Sequence, residues 1–164
     1  MATEDDDFDA FYAATSRGLL GQLYGLTGDW AEAQDCLQEA YARAWQRWAT
    51  VRSADSPAGW VRVVAFRLAQ SRWRRAQHAL HLLRKQGLPD NPVGPSSDSV
   101  ALVSALRTLP EAQRRALVLH HLGDLSVAEI ALQEGTAEGT IKARLSRGRS
   151  ALAELLRDDL EAMQ

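Results

Sequence analysis

The sequence lacks the features that mark secreted and membrane proteins. Its single cysteine, Cys36, excludes an intramolecular disulfide and a cysteine-based zinc site. Every apolar run is shorter than a membrane span, and the N-terminus is acidic, whereas a signal peptide begins with a basic segment followed by an apolar one. We therefore expect a cytoplasmic protein with no membrane partner.

The residue patterns of enzyme active sites are also missing. The sequence has no phosphate-binding glycine loop, no nucleophile elbow and no supported Ser/His/Asp set. His78 and His81 have no Cys, Asp or Glu at a metal-ligand spacing, and His120 and His121 point to different sides of a helix. We expect no metal or other cofactor, no small-molecule substrate and no enzymatic activity.

Patterns typical of β-strands are scarce as well, so the sequence predicts an all-α protein. A disordered acidic tail is expected over residues 1–7, and the first helix from Phe8 to about Leu26. Residues 86–98 contain three of the five prolines and predict a flexible linker. This linker would separate a helical domain over residues 8–85 from a second helical domain over residues 99–164.

Two further helices are predicted in the N-terminal domain. The first is capped by Asp29 and carries an apolar stripe that includes Trp45 and Trp48, with polar residues on its opposite face. The second begins with Ser56-Pro57 and has an outward row of arginines around Trp73. Such a tryptophan is either a stacking platform for an unpaired base or a core residue, and the sequence favours neither.

Basic residues are concentrated in two segments, although the formal net charge is −2. Residues 56–89 contain seven basic residues and no acid, and residues 139–153 contain no Asp or Glu. Local positive charge is what releases counterions from nucleic acid, so two phosphate-facing surfaces are expected.

The second basic segment lies in a predicted helix-turn-helix. Ser126 and Glu129 have the spacing of a capping box, and Gly135 can end the first helix in a left-handed conformation. The following helix has a buried stripe through Ile141 and Leu145, with basic residues between. A helix-turn-helix places its second helix in the DNA major groove. The alternative is an ordinary helical hairpin with a solvated basic face.

Several segments, in this order, resemble bacterial extracytoplasmic-function sigma factors of the SigE-like subgroup. They are Ala-Gln-Asp-Cys-Leu-Gln-Glu-Ala-Tyr-Ala-Arg-Ala-Trp (33–45), Pro57-Ala-Gly-Trp60, residues 64–75 ending in Trp73-Arg-Arg, Leu109-Pro110 with Arg114, Leu125-Ser126 with Glu129-Ile130-Ala131, and residues 139–149. The resemblance implies a factor that directs RNA polymerase core to specific promoters. It would recognise −35 and −10 elements, help open the duplex and initiate transcription.

The resemblance also assigns roles to residues. Binding to the polymerase core is implied for Asp35, Gln38 and Glu39. Recognition of the −10 element, with an extruded base held by loop 49–55 and the third helix, is implied for Arg62, Arg67, Arg72, Trp73, Arg74 and Arg75. Recognition of the −35 element is implied for Thr140, Lys142, Arg144, Arg147 and Arg149.

Two departures from the family pattern concern these sites. Arg67 stands where the family usually has Asn, so the details of −10 recognition do not carry over at that position. Gln34 replaces the usual Glu beside Asp35, a milder change. An anti-sigma factor wedged between the domains is compatible with the flexible linker. Two other functions remain as alternatives, a stand-alone helix-turn-helix regulator and an interaction adaptor.

Overall fold

The computed structural model describes residues 3–83 and 97–162, and within them it contains helices and no strand. None of the helices in these two stretches is long and apolar enough to cross a membrane. The elements are α1 (Glu4–Thr27), α2 (Trp30–Gln46), α3 (Trp48–Val51), α4 (Pro57–Leu83), α5 (Ser97–Thr108), α6 (Glu111–Leu117) with a π-helical continuation (Val118–Leu122), α7 (Val127–Glu134) and α8 (Glu138–Ala162). The predicted all-α class is confirmed.

The chain forms two compact units. The N-terminal unit comprises Met1–Leu23 and Asp29–Val93, and the C-terminal unit comprises Tyr24–Gly28 and Gly94–Gln164. The predicted linker falls almost entirely outside the described residues, and α5 begins at Ser97, two residues before the predicted start of the second domain.

The core of the N-terminal unit lies between α2 and α4. Ala33, Ala40 and Ala44 are completely buried on α2, and their small side chains let α4 approach closely. Val61 and Ala65 supply the facing surface of α4 and are also completely buried. Asp29 caps α2 as predicted, its Oδ1 accepting a hydrogen bond from the Glu32 N–H at 3.0 Å.

Trp45 does not join the buried stripe that the sequence predicts. Its side chain is 45% exposed, whereas Trp48 is 6% exposed. The helix ends between them, because Arg47 leaves helical geometry with φ −124° and ψ 26°, and Trp48 begins α3. This break rotates Trp48 into the core and leaves Trp45 at the surface.

The start of α1 also differs from the sequence prediction. Helix α1 begins at Glu4, so the acidic residues are its first turn and not a disordered tail. Thr3 caps this turn, since its Oγ1 accepts from the Asp6 N–H at 3.2 Å and its own N–H donates to Asp6 Oδ2 at 2.9 Å. Carboxylates are favourable there because a helix N-terminus carries partial positive charge.

The C-terminal unit is built around α6, α7 and α8. Ser126 and Glu129 form the predicted capping box at the start of α7, and Gly135 ends it with φ 63°. Ile130, Ile141 and Leu119 are completely buried between the helices. Arg115 of α6 also bonds Glu134 at the end of α7, which fixes the two helices to each other. The predicted helix-turn-helix is therefore confirmed as a structure.

Candidate nucleic-acid interface

The start of α8 presents an exposed basic surface. Ile141 and Leu145 are 0% and 3% exposed, so they fix which side of the helix faces the core. Thr140, Lys142 and Arg147 are exposed, and Arg144 is half-buried. We call Thr140 and Arg147, which are seven residues and about two helical turns apart and so lie on one side of α8, the recognition face. In helix-turn-helix proteins, residues near the start of the second helix contact base edges.

Arg149 lies on the same side of α8 as Lys142, which is seven residues and about two turns before it, and makes a contact of its own. Its Nε donates to Nε2 of His121 at 3.3 Å, so its side chain is directed towards the end of α6. Burial, with the charges of Arg149 and His120, lowers the pKa of His121, which keeps that ring neutral and able to accept. Arg149 is also about 16 Å along α8 from Glu138, at 1.5 Å per residue.

The contact between Arg149 and His121 borders an apolar groove of about 290 Å³ in the C-terminal unit. Its walls are mostly leucines, among them Leu102, Leu122 and Leu156. Leu102 and Leu122 are 37% and 46% exposed, so part of the groove wall faces solvent. This groove is not among the features predicted from the sequence, although the spacing of the leucines in α5 and α8 is a signal that could have indicated it.

The groove is shaped by the π-helical turn at the end of α6. The Gly123 N–H bonds the Val118 carbonyl at 3.0 Å, five residues back. His120 Nδ1 lies 2.8 Å from the Leu125 carbonyl oxygen, so this nitrogen carries the proton and donates. The rings of His120 and His121 meet edge to face at 4.9 Å, contrary to the prediction that they point to different sides.

The predicted −10 residues of α4 separate into two groups. Arg67, Arg74 and Arg75 are exposed, and Arg67 and Arg74 share one face because seven residues make about two helical turns. Trp73 lies in α4 between them, and its side chain falls outside the described part of the chain. The question of stacking platform or core residue therefore stays open.

Arg62 and Arg72 form the second group and are half-buried. Arg62 lies over the first turn of α4, since a Cβ at Gly59 would meet its Nη2 at 3.4 Å. Ser56 caps that turn as predicted, its Oγ accepting from the Gly59 N–H at 3.0 Å. Arg72 lies near α2: burial raises the pKa of the Glu32 carboxyl and of the Cys36 thiol, and the charge of Arg72 opposes both shifts.

The segment predicted as loop 49–55 is partly helical, and it contains a basic residue that the sequence analysis missed. Residues 48–51 form α3, and residues 52–56 form the turn that leads into α4. We call residues 52–56 the Arg52 turn. The guanidinium of Arg52 lies 3.7 Å from Glu4 Oε1 and 3.8 Å from Asp7 Oδ2, with its side chain 45% exposed.

The three predicted core-binding residues lie on the outward side of α2. Asp35 and Gln38 are exposed, and Glu39 is half-buried. Gln38 Nε2 donates to the Tyr12 hydroxyl of α1 at 2.9 Å, and Glu39 Oε1 accepts from Arg43 Nε at 2.9 Å. These contacts link Gln38 to α1 and Glu39 to Arg43 of the next turn of α2.

Among the described residues, no three His, Cys, Asp or Glu side chains are grouped so that they could hold a metal ion.

Comparison with known proteins identifies two family domains in the chain. Residues 11–79 match the family model "Sigma-70 region 2", and residues 99–152 match "Sigma-70, region 4". The RNA polymerase sigma-E factor of Streptomyces coelicolor is 30% identical over 161 residues, which cover 95% of this chain and 90% of that protein. The extracytoplasmic-function sigma factor SigL of Mycobacterium tuberculosis is 31% identical over 140 residues, covering 81% and 79%.

Solved structures with the same fold include two sigma factors. RpoE of Bartonella quintana, solved with the anti-sigma factor NepR, superposes with a TM-score of 0.79 at 24% identity, covering 92% of this chain and 97% of that one. The extracytoplasmic-function sigma factor SigJ of Mycobacterium tuberculosis gives a TM-score of 0.62 at 28% identity, covering 87% of this chain and 52% of that one.

Proposed function

Because the chain belongs to the family of extracytoplasmic-function RNA polymerase sigma factors, we propose that its two units divide promoter recognition between them. The chain directs the polymerase core to specific promoters and initiates transcription there through −35 and −10 elements. The family consists of transcription regulators. The proposal assigns a DNA element to each unit and a role to each site residue. It also holds that the chain has no catalytic activity and acts in the cytoplasm.

The C-terminal unit reads the −35 element through α8. The single observation that carries this assignment is the recognition face, which follows a capped helix and a tight turn and has no acid within residues 139–153. Arginine paired with guanine is the commonest specific contact in the major groove, so Arg147 is the leading candidate for a base contact. Thr140, Lys142 and Arg144 would bind phosphates and fix the register.

Arg149 has a different role in this proposal. Its contact with His121 holds it at the rim of the apolar groove. A phosphate contact at the edge of the interface fits that position better than a base contact.

The N-terminal unit holds the −10 element along α4 and the polymerase core on α2. Arg67 and Arg74 lie on one exposed face, where both can bind phosphates of a single strand. Extruding a base costs a few kcal/mol, which such contacts would offset. Asp35, Gln38 and Glu39 form the polar surface for the core.

Transcription with purified components tests the proposal. The chain and core polymerase are mixed with fragmented genomic DNA, and the start sites are mapped by run-off transcription. We expect start sites that share two sequence elements at a fixed spacing. If the mixture makes no promoter-dependent transcript and the chain alone binds a palindromic site tightly, the chain acts as a stand-alone regulator.

An anti-sigma factor is a second partner in the proposal. Two structural relatives, RpoE and CnrH, were solved in complexes with NepR and CnrY, of which NepR is an anti-sigma factor. In the test, a candidate partner is added in an amount equal to the chain. It should abolish run-off transcription, and excess chain should restore the transcript.

A further inference from the structure

The first turn of α1 is an acidic cluster held against a cation that the sequence analysis overlooked. Glu4, Asp5, Asp6 and Asp7 form this turn, which we call the acidic turn. Two of its carboxylates, Glu4 and Asp7, lie on one side and reach the guanidinium of Arg52 at 3.7 and 3.8 Å. A partner for Arg52 is thus supplied from a segment more than forty residues away in the chain.

The acidic turn is anchored independently of these ion pairs. Thr3 caps it through three hydrogen bonds with Asp6, and the two that Thr3 donates to Asp6 Oδ2, from its N–H and its hydroxyl, lower the pKa of the Asp6 carboxyl. Phe8, the next residue, packs edge to face on Trp45 and Trp48 with ring centroids 5.0 and 5.1 Å apart. The cap and the aromatic contacts place the carboxylates beside the Arg52 turn before any ion pair forms.

Arg52 lies where a cation could bind a phosphate of the DNA. It ends α3 and begins the turn leading into α4, next to the capped start of the arginine-bearing helix. The family resemblance implies that loop 49–55, which includes Arg52, holds the −10 element together with α4, so the inference rests on the proposed function. Two carboxylate groups beside an exposed guanidinium occupy the positions that phosphate oxygens would take in a DNA complex.

The ion pairs of Arg52 with Glu4 and Asp7 are weak enough to be displaced. All three side chains are about half exposed or more, at 45%, 66% and 55%. Ion pairs of this kind contribute little net free energy and are screened by salt. A polyanion that offers several phosphates at once can therefore displace the carboxylates.

We propose that the acidic turn is an intramolecular competitor of promoter DNA, in which Glu4 and Asp7 occupy Arg52 until the −10 strand replaces them. The device raises the threshold for binding non-promoter DNA, because a single phosphate must compete with two tethered carboxylates. Promoter DNA passes this threshold through its additional contacts along α4.

The test uses holoenzyme reconstituted with core polymerase and a fork-junction DNA that carries a −10 element mapped by run-off transcription. The double variant Glu4→Gln/Asp7→Asn removes the competing carboxylates. Its matched control is Asp5→Asn/Asp9→Asn, which removes the same charge from exposed residues of the same helix that make no recorded contact with Arg52. Core affinity and helical content are measured for both variants, so that a defect in assembly or folding is recognised.

We expect Glu4→Gln/Asp7→Asn to bind the fork about two- to fivefold more tightly than the control variant at low salt, from the usual strength of exposed ion pairs. The difference should shrink as salt is raised, because both kinds of contact are then screened. Equal affinities of the two double variants at low salt would overturn the proposal.

Arg52→Gln separates failure of this inference from failure of the assigned −10 surface. The substitution should weaken fork binding in the wild-type background and abolish the gain from Glu4→Gln/Asp7→Asn. If Arg52→Gln weakens binding but Glu4→Gln/Asp7→Asn binds no more tightly than its control in the chain that keeps Arg52, DNA contacts this turn but the acidic turn does not compete. If Arg52→Gln changes nothing, the turn does not touch DNA, and both the inference and this part of the −10 assignment are wrong.

Discussion

Arg147 and Arg149 are two residues apart in one helix, yet their surroundings differ. Arg147 is exposed on the recognition face, whereas Arg149 donates to His121 at 3.3 Å beside the apolar groove. The two residues have the same chemistry and both lie in the acid-free segment. Their different neighbours are therefore the reason to assign a base contact to Arg147 and a phosphate contact at the edge of the interface to Arg149.

Arg147→Ala should cost about 1–3 kcal/mol of binding to the −35 element, as expected for a lost base contact, and relax specificity at one base pair. The measurement is competition binding of holoenzyme to the mapped promoter and to single-base variants of its −35 element. Arg149→Ala is the control and should weaken binding equally on all of these DNAs. A uniform loss for Arg147→Ala as well would place Arg147 on phosphate.

Asp35 is exposed on α2 beside Gln38 and Glu39. Asp35→Arg should reduce association with the polymerase core at least about tenfold, because like-charge contacts at an interface cost several kcal/mol. Analytical gel filtration and fluorescence titration with core measure this loss, and circular dichroism checks folding. Arg43→Asp, a charge reversal one turn beyond Glu39, tests how far the surface extends. Unchanged core binding by Asp35→Arg would move the interface to another face.

At the scale of elements, the packing of α8 on α6 depends on a glycine. A Cβ at Gly148 would lie 2.9 Å from Cδ1 and 3.2 Å from Cγ of Leu117, and Leu117 is itself 4% exposed. The leucine has little room to move, so the two helices can approach this closely because position 148 has no side chain.

Gly148→Ala should therefore destabilise the C-terminal unit by about 1–3 kcal/mol, since overpacking outweighs the better helix propensity of alanine. Gly139→Ala is the matched control, because a Cβ there meets nothing within 4 Å. That substitution should be neutral or stabilising by up to about 1 kcal/mol. Amide hydrogen exchange of α8 reports both effects. Equal protection in the two variants would show that Leu117 can rearrange.

Helix ends were largely predictable, and the reason is that capping is local. Asp29 with Glu32 and Ser126 with Glu129 are expected from the three-residue spacing of a capping box, and Ser56 from the Ser-Pro start of α4. The start of α1 was not expected, since a run of acids resembles a tail until Thr3 and Asp6 are seen to cap it. The π-helical turn before Gly123 also had no sequence signal.

At the scale of the whole molecule, the proposed division of promoter recognition between two units would make the spacing of the two DNA elements part of the specificity. The recognition face and the arginine row of α4 belong to different units, and the polymerase core would hold both on one promoter. Each unit taken alone should bind its element weakly, because a single DNA-binding module buries less surface than two modules together.

Inserting about five base pairs, roughly half a helical turn of DNA, between the −35 and −10 elements should lower transcription at least about tenfold. The measurement is run-off transcription from promoters that differ in spacer length. The control promoter has a shuffled spacer of the original length and should keep its activity. Equal transcription from the lengthened promoter would mean that one element suffices.

The sequence by itself determined the helical class, most helix ends and the sigma factor family, because propensity, capping and motif order all act within a few neighbouring residues. Tertiary structure decided where the long charged side chains go. Arg149 reaches His121 across 28 residues, Arg72 lies near α2, and Arg52 pairs with Glu4 and Asp7 of α1. A linear pattern carries no information about such contacts, since flexible side chains take partners that only packing brings within reach. The same packing left Trp45 exposed and made the acidic start of the chain part of the folded unit.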